Sequence, residues 1–199
     1  MTTRSLFATR FYEGQLGNAA LLEELEHSCR TLAEDDRAGQ QWSKAHGYRG
    51  YTSYASLDDL PRRDPVMGDL VKTLNRHVAA FAKECGFDLA RPLKLDNLWV
   101  NVMKRAGTHS GHIHPHSVVS GTLYVAVPPG SGALKLEDPR LPMLMAAPGR
   151  LPDAAPDLQP FIYAEPQEGS IFLWESWLRH EVMASDAKDA RISISFNYR

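Results

Sequence analysis

The second half of the chain consists of short β-rich runs separated by turn residues, and this pattern constrains the fold more than any other feature. After Pro92, β-branched and aromatic residues recur in brief stretches with glycine or proline between them. Many short strands with this punctuation predict a β-sandwich or a jelly roll. The predicted strands are residues 95–103, 112–116, 118–127, 132–137, 161–164, 170–174, 180–184 and 191–198.

The first 92 residues favour helices after one opening strand, which we predict at residues 5–12. Asn18 precedes leucines at helical spacing, so it is predicted to be the N-cap of a first helix. Asp64 is followed by proline and predicts the start of a second helix, which Gly86 ends. The N-terminal part is therefore expected to place two long helices against the strands.

A chain of 199 residues is close to the size of one domain. The apolar stripes of the helices are too few for an independent core, so helices packed on a β core are favoured over two domains. We predict a single domain, residues 1–199, in which a helix-rich part, 1–92, packs on a β core, 93–199. Residues 139–160 form a long loop rich in proline, alanine and leucine, and loops of this length are often functional.

Charge and cysteine content exclude several classes of protein. A formal net charge of −2 argues against bulk nucleic-acid binding, and no apolar run is long enough to span a membrane. The N-terminus lacks the apolar stretch of a secretory signal. The two cysteines, Cys29 and Cys85, are too few for a disulfide framework, so we expect reduced thiols in a cytoplasmic protein.

Histidines cluster in one short segment, because four of the eight lie between His109 and His116. In an extended strand His112, His114 and His116 would share one face, and Pro115 favours the extended conformation at His114. Neutral imidazoles gathered on one face are good ligands for iron, zinc, copper or nickel. This spacing favours a metal site over a solvated histidine-rich loop.

Two further elements late in the chain could complete such a site. His180 follows a predicted strand; a lone histidine is more often structural, but the upstream cluster favours a ligand. In residues 191–198 the polar side chains alternate with apolar ones, which is typical of a solvent-facing side. Inside a barrel, however, Arg191 and Ser193 would offer a guanidinium and a hydroxyl to a carboxylate.

The order of these motifs resembles the iron(II)- and 2-oxoglutarate-dependent oxygenases. A paired-histidine motif, a distal histidine and an Arg-x-Ser motif follow one another as they do in that family, and the wider runs look like a bacterial and phage branch of it. The resemblance implies a mainly β fold with flanking helices, the double-stranded β-helix, which is a cupin-like jelly roll. It also implies a hydroxylase-type dioxygenase that uses iron(II), Fe2+, and the cosubstrate 2-oxoglutarate.

The resemblance also implies roles for individual residues. His112 takes the first iron position and His180 the distal one, while Arg191, helped by Ser193, binds the C5 carboxylate of 2-oxoglutarate. Tyr124 and Asn101 are expected to face the cosubstrate. No catalytic residue beyond the metal site is implied.

One position departs from the family pattern, because His114 stands where the motif usually has a carboxylate. Three alternatives are open, and we favour His112, His114 and His180 as three histidine ligands. In the second, His116 is the ligand, and His114 lies next to the ligands without binding the metal. In the third, a carboxylate completes the site; the candidates are Asp138, Glu175 and Glu181.

Two other functions compete with the oxygenase hypothesis. A cupin-like metalloenzyme that uses no 2-oxoglutarate would suit a three-histidine site, and a non-enzymatic β-sandwich binding module would make the histidines incidental. The predicted partners are the small-molecule cosubstrate and a primary substrate that the sequence does not identify. Neither a membrane nor bulk nucleic acid is expected, and a homodimer is left open.

Overall fold

Within the residues that the structure describes, 2–140 and 143–199, ten strands form two antiparallel sheets. The structure is a computed structural model. The larger sheet has the order β1-β8-β5-β10-β3-β2, and the smaller has the order β4-β9-β6-β7. The strands are β1 Phe11–Gln15, β2 Gly50–Thr52, β3 Leu95–Met103, β4 His109–His112, β5 Val119–Ala126, β6 Leu134–Glu137, β7 Phe161–Ala164, β8 Ser170–Glu175, β9 His180–Val182 and β10 Arg191–Tyr198.

From β3 to β10 the chain passes back and forth between the two sheets. Strands β3, β5, β8 and β10 lie side by side in the larger sheet, while β4, β6, β7 and β9 form the smaller one. Two facing sheets filled by strands in this order are a double-stranded β-helix, the jelly-roll form that the sequence predicted. The first two strands extend the larger sheet at its two edges.

Five helices accompany the strands: α1 Ala19–Asp35, α2 Arg37–Ala45, α3 Leu60–Arg63, α4 Pro65–Glu84 and α5 Met143–Ala146. Helix α1 begins where predicted, because the Asn18 side chain accepts a hydrogen bond from the Leu21 N–H at 3.1 Å. Asp64 caps α4 in the same way, through the Val66 N–H at 3.0 Å. Gly86, with φ at 69°, follows the end of α4 in the left-handed conformation that ends a helix.

Strand β10 is buried on both faces. Its apolar side chains join the helices in one hydrophobic cluster; the four residues are Ile192, Ile194, Phe196 and Tyr198. Its polar side chains point between the two sheets, and Arg191, Ser193 and Asn197 are all less than 5% exposed. The polar alternation of this strand therefore faces the interior of the jelly roll and not solvent.

Most predicted strands are confirmed, and two differ for identifiable reasons. The opening strand was predicted at residues 5–12, but β1 is Phe11–Gln15. The strand predicted at 112–116 lies earlier, because a register shift between His109 and His112 distorts its pairing with β9 and His116 adopts a positive φ of 70°. A non-glycine residue in that conformation does not continue an extended strand.

The predicted long loop, residues 139–160, contains α5 and a 3₁₀ turn, Pro156–Leu158. Residues 141 and 142 of that loop lie outside the described residues. We propose that residues 1–199 form one domain, as the sequence predicted, because α1 and α4 share a hydrophobic cluster with β3, β5, β8 and β10. Among the described residues, no helix combines the length and apolar character needed to cross a membrane.

Replacing Asp64 is expected to destabilise the fold measurably. In Asp64→Ala, α4 loses its N-cap bond and the Ser28 hydroxyl of α1 loses its acceptor, so the free energy of unfolding falls by about 2 kcal/mol. Asp69→Ala removes a carboxylate of the same helix that is 59% exposed and is expected to change stability by less than about 0.5 kcal/mol. Urea unfolding curves compare the two, and equal effects would contradict the capping role.

Candidate metal centre

Three imidazoles meet between the sheets. One nitrogen from each of His112, His114 and His180 lies within 4.8 Å of the other two, and the Nε2 atoms of His114 and His180 are 3.2 Å apart. His112 and His180 are paired across β4 and β9, while His114 follows two residues after β4. Because an imidazole nitrogen binds a first-row metal at about 2.0–2.1 Å, these separations suit one shared ion.

Backbone carbonyls hold two of the rings in the form that binds metal. The Nδ1 atom of His112 lies 2.7 Å from the Ser110 carbonyl oxygen, and that of His180 lies 2.9 Å from the Leu178 carbonyl oxygen. A carbonyl can only accept, so each Nδ1 carries the proton and donates it. Each Nε2 then keeps its lone pair for a ligand bond.

Burial keeps the rings of His114 and His180 neutral. Burial and, to a smaller extent, the nearby His112 lower the pKa of His114 to about 4. Burial also lowers the pKa of His180 to about 3, against the opposing effect of the Leu178 carbonyl. A neutral imidazole is the form that coordinates a cation, so at neutral pH these two rings need not lose a proton to bind metal.

A cavity of about 40 Å³, partly open to solvent, lies beside the three rings. Its wall is formed mainly by β3, β5 and β10 of the larger sheet and by the histidines of the smaller sheet. In the part of the chain that the structure describes, this wall contains one arginine, Arg191, and no carboxylate. The cavity is therefore suited to an anionic ligand.

Arg191 is buried without a counter-ion. It is 2% exposed, and none of the ion pairs within residues 2–140 and 143–199 includes it. Its Nη1 donates to the Gly132 carbonyl at 2.9 Å, and its Nη2 lies 3.8 Å from the Met103 sulfur. Its Nε is buried and has no hydrogen-bond partner among the described residues. A buried cation of this kind is costly unless a ligand supplies the missing negative charge.

The other predicted cosubstrate residues line the same cavity. Ser193, Tyr124 and Asn101 are each at most 3% exposed. Burial raises the pKa of Tyr124 to about 12, so its phenol stays neutral. The centre of the Tyr124 ring lies 5.6 Å from the Arg191 guanidinium carbon. The Asn101 amide accepts a bond from Thr52 at 2.9 Å and donates to Ser195 at 3.2 Å. The favoured site residues are thus brought together.

The alternative ligands do not line the cavity within the described residues. His116 is exposed in its positive-φ turn. Asp138 and Glu181 pair with arginine and lysine, at 2.7 Å to Arg140 and 3.0 Å to Lys135, and Glu175 accepts a bond from the Trp177 ring at 3.0 Å. The choice of ligand set stays a prediction, and the geometry favours the three histidines.

Sequence reasoning assigned no role to His109 and Trp174, which also lie in the cavity wall. His109 was part of the quoted cluster, and the register shift at β4 brings it to the same cavity as His112. Trp174 packs its ring 4.6 Å from that of His180, and its buried indole N–H has no partner among the described residues. A bulge shifts the two-residue alternation, so position counting could not reveal the placement of His109.

The donor set fits the ligands that the sequence predicted. Three neutral nitrogens suit iron(II) among other first-row metals, and the cavity adds a buried guanidinium that lacks an anion. A dianionic 2-oxo acid would place one end at the metal and the other at Arg191.

Comparison with protein families finds one match. Residues 97–197, which contain the three histidines and Arg191, match the family described as "Putative 2OG-Fe(II) oxygenase". The match covers half of the chain and all of the interleaved strands except the last residue of β10 and the first two residues of β3. No curated protein sequence matches the chain.

Solved structures with similar folds have low sequence identity to the chain. A 2OG-Fe(II) oxygenase family oxidoreductase from Burkholderia pseudomallei matches with a TM-score of 0.52 at 16% identity, over 72% of this chain and 60% of its own length. A prolyl-4-hydroxylase from Pseudomonas putida matches with a TM-score of 0.59 at 15% identity, over 96% of this chain and 92% of its own length. HygX from Streptomyces hygroscopicus, solved with nickel and 2-oxoglutarate, matches with a TM-score of 0.62 at 15% identity, over 96% of this chain and 82% of its own length. At this identity the matches show the shared fold.

Substituting His114 is expected to separate the alternative ligand sets. His114→Asn removes one of the three converging nitrogens and should weaken nickel(II) binding at least about tenfold. His116→Asn is the matched control, since asparagine tolerates a positive φ and His116 lies outside the cavity wall. Calorimetric titration with nickel(II) measures both, and a larger loss in His116→Asn would favour His116 as the ligand.

Proposed function

This chain belongs to the family of 2OG-Fe(II) oxygenases, and on that premise we propose that it is an iron(II)- and 2-oxoglutarate-dependent dioxygenase of the hydroxylase type. His112, His114 and His180 hold the iron in this proposal, and Arg191 with Ser193 holds the far carboxylate of 2-oxoglutarate. The single observation that carries it is the buried, unpaired guanidinium in the wall of the cavity that the three imidazoles share.

The cofactors agree with the family, whose description specifies both iron(II) and 2-oxoglutarate. Bound at this site, iron(II) would supply the redox chemistry that couples oxidation of 2-oxoglutarate by O2 to oxidation of a substrate. The protein supplies the rest: three imidazole nitrogens, two of them on rings oriented by backbone carbonyls, and a buried cation for the far carboxylate. Such fixed groups lose little entropy when the ligand binds.

Charge arithmetic favours a dicarboxylate over a monocarboxylate. Three neutral imidazoles leave the metal with its full double positive charge, and Arg191 adds one more at the opposite end of the ligand. A dianion can satisfy both ends, whereas a monoanion would leave one buried cation without a partner. A cupin-like enzyme without 2-oxoglutarate would need another anionic ligand for this guanidinium, so the oxygenase function is favoured.

We propose that the primary substrate approaches past Trp99 and Tyr54. Trp99 lines the cavity with its ring 5.9 Å from that of His114, and the 61% exposed Tyr54 packs edge-on against it at 5.2 Å. These two rings form an apolar border beside His114. The cytoplasmic location stays a prediction, and a homodimer stays open.

Removing the guanidinium is expected to abolish cosubstrate binding and spare metal binding. In Arg191→Met the far carboxylate loses its charge partner, so the dissociation constant for 2-oxoglutarate should rise about a hundredfold or more. The matched control is Arg179→Met, whose side chain is 54% exposed in an ion pair with Glu137.

The measurement is an anaerobic titration of the iron(II)-loaded protein with 2-oxoglutarate, followed by its visible charge-transfer absorption. Absence of this absorption in the unmodified protein would favour the cupin-like alternative, and unchanged affinity in Arg191→Met would contradict the proposed role of Arg191. Failure of the unmodified protein to bind stoichiometric metal would favour the non-enzymatic binding module.

A further inference from the structure

The edge strand β7 leaves a row of backbone groups unpaired. Among the described residues it pairs only with β6, and the Asp138 N–H donates to the Pro160 carbonyl oxygen at 2.9 Å. Because the direction of these bonds alternates along an antiparallel ladder, Phe161, Tyr163 and Glu165 direct their N–H and carbonyl groups away from β6. No backbone hydrogen bond within the described chain uses these outward groups.

The side chains above this open edge are exposed and aromatic. Phe161 is 36% exposed and Tyr163 is 53% exposed, whereas Ala164 on the other face of the strand is buried. The four residues of β7 include no charged side chain and no proline, which are the usual devices that keep an edge strand from pairing. This edge is therefore a template for a further strand.

The other three edges of the two sheets are less suited to pairing. The strand β1 carries the exposed charge of Glu13, and the Tyr51 and Thr52 residues of β2 are each only 4% exposed. In β4 the pairing is distorted by the register shift between His109 and His112. Of the edges that the structure describes, β7 is the one that combines a regular backbone with exposed aromatic rings.

A second β7 strand, running antiparallel, would satisfy all the outward groups. If Tyr163 pairs with the partner's Tyr163, a two-fold axis passes through that pair, and Phe161 lies opposite the partner's Glu165. A register centred on Ile162 would instead pair Glu165 with Gln159, whose N–H already donates to a carbonyl oxygen of its own chain at 3.2 Å. The backbone therefore favours the register centred on Tyr163.

Charge complementarity supports the same register. The Lys135 Nζ atom lies 4.3 Å from the centre of the Phe161 ring and 3.0 Å from the Glu181 carboxylate. An ammonium has three N–H donors, so it can bind a second carboxylate, and the partner's Glu165 would lie opposite Phe161 beside it. Glu165 is exposed and takes part in none of the ion pairs within residues 2–140 and 143–199.

Two neighbouring segments extend the apolar surface beyond the strand. The Ser5 hydroxyl donates to the Asp157 carboxylate at 2.7 Å, and the Gln159 amide donates to the Leu151 carbonyl oxygen at 3.0 Å, so both segments lie near the start of β7. Specific interfaces bury about 800 Å² per partner, which is more than one short strand supplies. The exposed apolar side chains available to complete it are Leu6, Phe7, Leu151 and Leu158.

We propose that this surface binds a second copy of the chain, and that the two β7 strands pair antiparallel about a two-fold axis at Tyr163. The two smaller sheets, of four strands each, then form one continuous sheet. The residues that line the cavity include none from β7, so each copy keeps its own metal centre.

The oligomeric state of the full chain tests the surface. Sedimentation analysis should find a dimer, and Tyr163→Arg, which sets two guanidinium groups opposite each other at the axis, should raise its dissociation constant at least about a hundredfold. Tyr54→Arg is the matched control, since this exposed tyrosine follows β2 and lies outside the proposed interface. A monomeric unmodified protein, or equal association of the two variants, would overturn the proposal.

Disulfide crosslinking tests the register. Residues opposite each other in a hydrogen-bonded pair have Cα atoms about 5.5 Å apart, which suits a disulfide, so Tyr163→Cys should form a covalent dimer on oxidation. Phe161→Cys should not crosslink to itself, because the two copies of that position lie more than about 13 Å apart, but it should crosslink to Glu165→Cys. These variants are made in Cys85→Ser, which leaves only the buried Cys29 thiol.

Two further measurements separate the interface from the fold. Glu165→Gln should weaken the dimer about fivefold at low salt and much less at 1 M salt, because the contact with Lys135 is ionic. Nickel(II) affinity should be unchanged in Tyr163→Arg, and if that variant misfolds, the crosslinking result alone decides. Crosslinking of Phe161→Cys to itself, or none in Tyr163→Cys, would show that the proposed pairing is wrong.

Discussion

The buried guanidinium of Arg191, which has no counter-ion among the described residues, determines the charge of the ligand that this cavity can bind. Arg191 begins β10, the strand that pairs with both β3 and β5; Arg191 is paired with Met103 of β3, and the pairing with β5 begins at the next residue, Ile192. The folded protein therefore maintains a fixed positive charge facing a cavity, and the cost of desolvating it is recovered only when an anion binds.

The sequence predicted most of the strands and both parts of the site, but it could not orient them. The alternation of Arg191, Ser193 and Asn197 with apolar neighbours is the same for a solvent-facing strand as for one that faces a polar cavity. Helices α1 and α4 decide the matter, because they cover the apolar face and leave the polar face to the interior. That outcome depends on contacts between distant segments, which local periodicity does not encode.

The histidine cluster shows a second limit of pattern reasoning. Equal spacing suggested that His112, His114 and His116 share a face, yet the chain leaves the strand after His112 and turns at His116. The register shift that precedes this turn places His109 at the cavity as well. Bulges and positive φ angles leave weak sequence signals, so the convergence of His112 and His180 was easier to predict than its surroundings.

Strand β1 has a consequence for how the chain can be shortened. It covers the outer edge of β8 from Phe11 opposite Trp174 to Gln15 opposite Ser170. Loss of these N-terminal residues would leave a row of open amides and carbonyls on the strand that supports the His180 ring. Such an edge readily recruits a strand from another molecule, so truncation at this end favours aggregation even though no residue of β1 lines the cavity.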